Sequence, residues 1–274
     1  MAKHHRKSGQ SGPRKGKGRP PKKGSPQVQA NSMQEGMRLN KYVAHCGVCS
    51  RRQAADFVKE GQVSVNDEVV LEPYYQVQSG DVIKFKGKVI QPEVRKVYFL
   101  MNKPKNVITT TSDERGRRTV MDLIRNRVPE RVFPVGRLDR MTTGLLLLTN
   151  DGELAQRMTH PSYKMKKIYH ATLDKPLEEN HLEAIRQGLE LEDGPVQVDE
   201  INYLEESGDL HKVGVTIHLG RNRIVRRIFE HFGYQVVRLD RVYLGGLTKK
   251  DLPRGFVRPL RKQEIIMLKH FTGK

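Results

Sequence analysis

An aspartate between two arginines is the feature of this sequence that points most directly to chemistry. Asp139 has Arg137 two residues before it and Arg140 directly after it, and four leucines, Leu145–Leu148, follow shortly. The leucines predict a buried strand, so Asp139 is expected on a loop at a sheet end, beside a cleft. A carboxylate there can act as a nucleophile or a general base. The residues alone leave open that Asp139 is a surface acid paired with either arginine.

The charge of the chain predicts a polyanionic partner. Its 274 residues include 50 Lys or Arg against 31 acidic residues, a net charge of +19 and a pI near 10.0. Residues 1–36 carry nine of the basic residues and only Glu35 as an acid, so +8 lies there and +11 remains elsewhere. We expect 1–36 to be a disordered basic tail, because it has too few apolar side chains to fold, and we expect nucleic acid to bind both the tail and the folded surface.

The first folded segment begins near residue 37. Leu39, Tyr42 and Val43 recur at helical spacing, and Ser50 followed three residues later by Gln53 predicts a capping box that starts a second helix. Apolar residues on both sides of Asn66-Asp67 predict a hairpin. A further strand is expected around residues 82–85.

Three stretches of this segment resemble a small RNA-binding module shared by a small-subunit ribosomal protein and tyrosyl-tRNA synthetases. They are Arg38-Leu39-Asn40-Lys41-Tyr42, Ser50-Arg51-Arg52-Gln53-Ala54 and Gly61-Gln62-Val63-Ser64-Val65-Asn66. The resemblance implies RNA contacts by Arg38, Lys41, Ser50, Arg51 and Arg52. Arginines in the first turn oppose the helix dipole, but beside free backbone N–H groups they make an anion site; chance surface arginines are the alternative.

The rest of the chain alternates strands with helices. Apolar runs predict strands at 97–101, 107–111, 132–135, 145–149, 168–173, 196–204, 213–219 and 235–239. Helical patterns occupy 120–127, 153–159, 178–187 and 223–232. Many connections are too short for parallel crossovers, so we expect an α+β fold: a mixed, largely antiparallel sheet with flanking helices, preceded by the small α/β module. The expected divisions are 1–36, 37–95 and 96–274.

The segment 136–152 resembles the signature loop of pseudouridine synthases. The likeness extends to four further stretches: Asn102-Lys103-Pro104, Gly116-Arg117-Arg118-Thr119-Val120, Lys167-Ile168-Tyr169 and Gly220-Arg221-Asn222-Arg223-Ile224-Val225-Arg226-Arg227. The order of motifs, with the RNA-binding module in front, is similar to the RsuA-type branch that acts on ribosomal RNA, and more to its large-subunit group. One departure is Ile224, where the family usually has glutamine, so one hydrogen-bonding contact is expected to be missing.

The resemblance implies the roles of the site residues. Asp139 is the catalytic carboxylate, Tyr169 stacks on the target base and Arg226 supplies the charge that keeps the carboxylate ionised. A packing tyrosine and a solvated basic helix face are the plain alternatives. Lys103, Arg137 and Arg221 are expected to contact phosphate or ribose around the pocket. Uridine isomerisation transfers no electrons or groups, so we expect no cofactor, and the target base must be extruded to be reached.

Several other functions are disfavoured by the sequence. Cys46 and Cys49 have no second pair to complete a zinc site, and neither clustered acids nor a phosphate-binding glycine loop indicates a nuclease or a nucleotide hydrolase. No apolar run is long enough for a membrane span, so we expect a cytoplasmic protein and, by default, a monomer. The remaining rival is a ribosome assembly factor that binds RNA without catalysis.

Overall fold

The computed structural model describes residues 36–92, 95–204 and 209–272. Except for Gly36, the predicted basic tail lies outside the described residues. The chain divides into two compact units, one formed by residues up to Tyr42 together with Ser50–Ile90, the other by Val43–Cys49 and Gln91–Lys274. Among the described residues, no helix is both long and apolar enough to cross a lipid bilayer.

The first unit combines a helical pair with short strands. Its elements are β1 (Met37–Arg38), α1 (Leu39–His45, which continues into the second unit), α2 (Arg51–Lys59), β2 (Val63–Val65), β3 (Glu68–Val69), β4 (Gln76–Val77), β5 (Ile83–Phe85) and β6 (Lys88–Val89). Four strands form one sheet in the order β3-β2-β5-β6, and β1 pairs with β4. Every pairing here is antiparallel.

Local sequence signals fix the ends of these elements. Ser50 Oγ accepts a hydrogen bond from Gln53 N at 3.3 Å, and Gln53 Oε1 accepts one from Ser50 N at 3.1 Å, which confirms the capping box. The β2–β3 turn places Asn66 and Asp67 at φ of 52° and 71°. Two consecutive left-handed residues match the right-handed twist of the strands they join, so the predicted hairpin is also confirmed.

The second unit is built on a nine-stranded sheet. Its strands and helices are β7 (Tyr98–Lys103), β8 (Phe133–Pro134), β9 (Thr143–Thr149), α3 (Gly152–Thr159), β10 (Lys167–Leu173), α4 (Glu179–Gln187), β11 (Leu189–Leu191), β12 (Gly194–Val196), β13 (Glu200–Tyr203), β14 (Lys212–Ile217), α5 (Ile224–Glu230), β15 (Val236–Leu244), β16 (Leu247–Thr248), β17 (Val257–Pro259) and α6 (Lys262–Thr272). The main order is β13-β14-β10-β15-β9-β7-β17; β8 also pairs with β9 and β16 with β15, while β11 and β12 form a separate hairpin.

The sheet is antiparallel except at one junction, where β15 runs parallel to β9. A mixed, largely antiparallel sheet with flanking helices is therefore what the chain forms, as predicted. The leucines of β9 show that both faces of this sheet are covered. Leu146 and Leu148 belong to one apolar cluster, while Leu145 and Leu147 belong to another. Burial on both sides explains why β9 is continuously apolar rather than alternating.

Four predicted elements differ in the structure. The single strand predicted at 196–204 is divided between the end of β12 at Val196 and β13, which begins at Glu200. Residues 107–111 form no strand and contribute only an isolated bridge between Ile108 and Thr119. Residues 120–127 form successive turns rather than a helix, because Pro129 prevents continuation soon afterwards and a helix that short gains little on its own. β15 runs five residues past its predicted end at Leu239, since Asp240 and Arg241 interrupt the apolar pattern but not the strand.

Candidate active site

The segment between β8 and β9 carries Asp139 on a tight turn. Thr142 N donates to Asp139 O at 3.0 Å, closing the turn. Just before it, Leu138 is fixed from both sides by Thr109, whose hydroxyl donates to Leu138 O at 2.8 Å and accepts from Leu138 N at 3.2 Å. The Asp139 side chain is half-buried. Backbone bonds thus hold the loop, and the carboxylate is not needed for that purpose.

Lys103 lies beneath this turn and corrects the expectation that it contacts phosphate. Its side chain has no solvent exposure, 0%, and Nζ donates to backbone carbonyls at Thr142 (2.8 Å), Asp139 (3.1 Å) and Pro104 (3.1 Å). Burial lowers the pKa of Lys103 to about 8, although the Asp139 carboxylate opposes the shift. An ammonium group that satisfies carbonyls in the interior supports the loop and cannot reach a phosphate in solvent.

A cavity of about 220 Å³ opens beside Asp139. Its lining includes Tyr169 from β10 and Arg221 from the segment before α5, together with Arg137 and Thr142 from the Asp139 loop. Four residues predicted from sequence, Asp139, Tyr169, Arg137 and Arg221, therefore line one cavity although they are widely separated in the chain.

Tyr169 is held from behind by an arginine that sequence reasoning missed. Tyr169 is 8% exposed, and Arg241 Nη1 donates to its hydroxyl at 3.5 Å. Arg241 is itself buried, and its Nε donates to Leu145 O at 2.7 Å, which links β15 to β9. A charged residue inside an apolar strand could have indicated a functional role for Arg241, but the predicted strand ended at Leu239, before it.

Arg226 is buried in α5 rather than on a solvated face. It is 8% exposed, and its Nη1 donates to Val236 O at 2.6 Å. Burial lowers the pKa of Arg226 and so does Arg223, whereas the Asp139 carboxylate raises it, so the two groups interact electrostatically. No ion pair within 4.0 Å joins Asp139 to a cation in the described part of the chain. Arg226 acts on Asp139 across a gap, not by direct contact.

Ile224 belongs to the cavity wall. It is buried in the first turn of α5 and lines the cavity with Val225. At this position the wall presents a hydrocarbon branch, where a glutamine would offer an amide. The departure from the expected pattern thus makes this side of the cavity more apolar.

The cavity's arginine-rich rim is largely occupied by the protein's own acceptors. Arg221 Nη1 donates to Gly194 O at 3.0 Å and lies 3.6 Å from Asp193. Arg227 forms a two-pronged pair with Asp193 at 2.8 and 2.9 Å, which lowers the pKa of that carboxyl. Arg137 is exposed and has no hydrogen bond or ion pair with any described residue. Of the predicted rim contacts, Arg137 is therefore the one immediately available to a phosphate.

Comparison with known proteins agrees with this geometry. Residues 97–231 match the family described as RNA pseudouridylate synthase, and residues 37–83 match the S4 domain. An RNA pseudouridine synthase of Aquifex aeolicus is 41% identical over 86% of this chain and 95% of its own length. The ribosomal large subunit pseudouridine synthase B of Bacillus subtilis is 40% identical over 85% of this chain and 95% of its own length. The chain belongs to the RNA pseudouridine synthase family.

A solved pseudouridylate synthase has the same fold as this pseudouridine synthase. The two share 32% identity at a TM-score of 0.62, over 84% of this chain and 99% of the solved one. The segment matched by the family contains Asp139, Tyr169 and Arg226. Arg241, the support of Tyr169, lies beyond its end.

The residues predicted to contact RNA in the S4 domain of this pseudouridine synthase differ in their exposure to solvent. Arg38, Arg51 and Arg52 are exposed, and Lys41 is half-buried. Ser50 is exposed, but its hydroxyl is engaged with Gln53 in the capping box, so its observed role is to begin α2. The two arginines follow directly in the first turn, beside the free N–H groups of the helix start.

Among the described residues of this pseudouridine synthase, the cysteines and acids form no metal cluster. Within residues 36–92, 95–204 and 209–272, no three His, Cys, Asp or Glu side chains come close enough together to hold an ion. Cys46 and Cys49 are both free thiols, and burial raises the pKa of Cys46 to about 12. Such a thiol stays protonated at neutral pH and is a poor nucleophile.

Proposed function

We propose that this pseudouridine synthase isomerises a specific uridine in ribosomal RNA of the large subunit. The Bacillus subtilis relative and a Haemophilus influenzae relative 35% identical to this chain both carry the name ribosomal large subunit pseudouridine synthase B. The observation that carries the proposal is the cavity lined by both Asp139 and Tyr169, in which Asp139 forms no ion pair with any described residue.

Isomerisation of uridine requires few catalytic groups, and the residues that line the cavity supply them. The bond between uracil N1 and ribose C1′ breaks, the uracil turns, and a bond forms between C5 and the same C1′. The hydrogen on C5 leaves as a proton and N1 regains one, so the atoms balance without a redox step or a cofactor. The Asp139 carboxylate attacks the nucleotide or takes a proton from it.

Each remaining site residue has one role in this proposal. Tyr169 stacks on the extruded uracil and keeps it in place while it is detached, since base stacking on an aromatic ring contributes about 1 to 3 kcal/mol. Arg226 attracts the Asp139 carboxylate through space, without direct contact. Arg137 binds phosphate beside the flipped nucleotide, and Arg221 does so once RNA competes with its present acceptors near Asp193.

RNA capture beyond the cavity is assigned to the S4 domain and the basic tail. Arg38, Lys41, Arg51 and Arg52 bind the phosphate backbone, with Ser50 holding the helix start that carries the two arginines. The proposed divisions are tail 1–36, S4 domain and joint 37–95, and catalytic domain 96–274. A monomer is the default proposal, and a ribosomal substrate supports a cytoplasmic location.

Tritium release tests the proposal directly. Each isomerisation frees the C5 hydrogen, so ribosomal RNA labelled with tritium at uridine C5 should lose label to water when wild-type protein is added. The Asp139→Asn variant should bind the same RNA with a similar Kd and release none. If the wild type bound RNA but released no tritium from either subunit's RNA, the non-catalytic assembly factor would be the better description.

A further inference from the structure

Two adjacent threonines follow Asp139, and their hydroxyl groups differ in a way the fold does not explain. Thr143 is 6% exposed, and its hydroxyl donates to Asp240 Oδ1 at 2.9 Å and lies 3.2 Å from Leu239 O. Thr142 is 2% exposed, and its Oγ1 has no hydrogen-bond partner among the described residues. One hydroxyl is built into the sheet, whereas the other is buried unused.

An unused buried hydroxyl is unfavourable, and so it calls for a reason. A buried polar group without a partner loses its hydrogen bonds to water and forms no others, which is why most buried polar groups in proteins are paired. A valine would fill the same volume as Thr142 without that loss. The hydroxyl is thus better explained by a partner that arrives from outside the chain.

The position of Thr142 indicates what that partner is. Thr142 lines the cavity together with Asp139 and Tyr169, and its backbone N–H closes the turn on Asp139 O at 3.0 Å. Tyr169 offers a ring face to a base, while Asp139 works at the sugar carbon C1′. Because Thr142 lies on the same turn as Asp139, we expect its hydroxyl to approach the sugar rather than the far edge of the base.

We propose that the Thr142 hydroxyl binds the ribose 2′-hydroxyl of the target uridine. The 2′-hydroxyl sits on the carbon next to C1′, and it both donates and accepts hydrogen bonds, as does a threonine hydroxyl. This contact fixes the sugar against the carboxylate and distinguishes RNA from DNA at the reacting nucleotide. The inference rests on the proposed function, since it takes the Asp139 cavity as the reaction site.

Matched valine substitutions separate this role from a structural one. Thr142→Val should lower kcat/KM by about 5- to 50-fold, the loss of one hydrogen bond in a desolvated site, and leave Tm unchanged or raised. Thr143→Val should show the reverse: Tm falls by about 3 to 8 °C because Asp240 and Leu239 lose a partner, and kcat/KM of the folded enzyme stays near wild type. Thr142→Ser, which keeps the hydroxyl, should recover most of the activity.

A substrate change identifies the atom that Thr142 contacts. In the inactive Asp139→Asn background, Kd is measured for one RNA with uridine and the same RNA with 2′-deoxyuridine at the target. With Thr142 present, the deoxy substitution should weaken binding several-fold; with Thr142→Val it should have little further effect. Independent losses that multiply would overturn the assignment, as would full activity of Thr142→Val.

The outcomes also distinguish this inference from the function beneath it. Tritium release that persists in Asp139→Asn would mean that the reaction site is elsewhere, and both would fail. Release that depends on Asp139 but is indifferent to Thr142→Val would leave the function intact and remove only the threonine contact.

Discussion

Two aspartates in the same unit are treated in opposite ways. Asp240, on β15, accepts hydrogen bonds from Arg254 at 2.9 Å, from Thr143 at 2.9 Å and from Lys249. Asp139 accepts none of these and forms no ion pair with any described residue within 4.0 Å. Only the parallel β9–β15 junction separates the two environments.

The difference between the two carboxylates shows how a fold can leave one charged group without partners so that it is available for function. Asp240 joins the end of β9 to the residues after β15, and its partners neutralise it completely. Around Asp139 the nearby cations are used elsewhere: Lys103 binds carbonyls, and Arg226 binds Val236 O. The carboxylate that stabilises the structure is saturated with partners, whereas the carboxylate proposed for chemistry is left accessible.

Exchanging each aspartate for asparagine tests the contrast most strongly. Asp139→Asn should reduce tritium release by about 10⁴-fold with little change in the free energy of unfolding, because the carboxylate forms no ion pair with any described residue. Asp240→Asn should cost about 2 kcal/mol in urea unfolding while folded protein keeps its kcat, since the half-buried Lys249 and the exposed Arg254 lose their charged acceptor. Equal effects of the two variants on activity would break the comparison.

Lys103 tests how the open turn is held. Lys103→Met keeps the bulk of the side chain but leaves the carbonyls of Pro104, Asp139 and Thr142 without their donor. We expect a loss of about 3 kcal/mol in the free energy of unfolding, with kcat reduced in the protein that remains folded. A variant as stable and active as wild type would show that the Asp139 turn supports itself.

A substitution at Gly144 tests the close approach of β9, the strand after Asp139, to β15, the strand that carries Asp240. Its φ is +106°, and a Cβ there would lie 2.2 Å from Arg241 O and 2.6 Å from Arg241 N, so Gly144→Ala forces the two strands apart. We expect a loss of about 2 to 4 kcal/mol. Gly194→Ala is the matched control, because Gly194 has φ +99° but open space around it, and it should lose only the cost of the backbone conformation.

The pH dependence of stability sharpens the comparison further. Burial raises the pKa of Asp240, but hydrogen bonds from Arg254, Lys249 and Thr143 outweigh it and lower the pKa to about 2. The unfolded chain has an ordinary aspartate pKa near ~3.9, so this stabilisation is present above that pH and is lost as pH falls towards 2. The stability gap between wild type and Asp240→Asn should therefore shrink by about 2 kcal/mol between pH 5 and 2. A gap that is constant across this range would contradict the pKa shift.

Local signals made part of this molecule predictable. The capping box of α2 and the Asn66-Asp67 hairpin depend on residues close together in the chain, and both form as the sequence indicated. The continuous leucines of β9 likewise identified a buried strand next to Asp139. In the first two cases the groups that stabilise the element lie within a few residues of one another, and in β9 the apolar residues that identify the strand are contiguous.

Long-range contacts account for what the sequence did not disclose. Lys103 appeared to be one more basic residue near a pocket, because two of its acceptors, Asp139 O and Thr142 O, lie 36 and 39 residues further along the chain. For Arg226 a solvated helix face stayed open as the alternative to a role beside Asp139, since its acceptor Val236 belongs to a later strand. Arg241 was missed for the same reason. Charged residues gave no local sign of burial because their partners come from other strands.

The pairing of β9 with β15 also determines at which stage of folding the cavity can form. β9 pairs with β7, which precedes it in the chain, but its other neighbour, β15, begins almost ninety residues after β9 ends. β7 likewise pairs on its other side with β17, which comes near the end of the chain. Contacts so distant in sequence slow the search for the native state. During synthesis the Asp139 turn would emerge long before Arg241 could brace Tyr169, so catalytic competence should appear late and abruptly rather than grow with chain length.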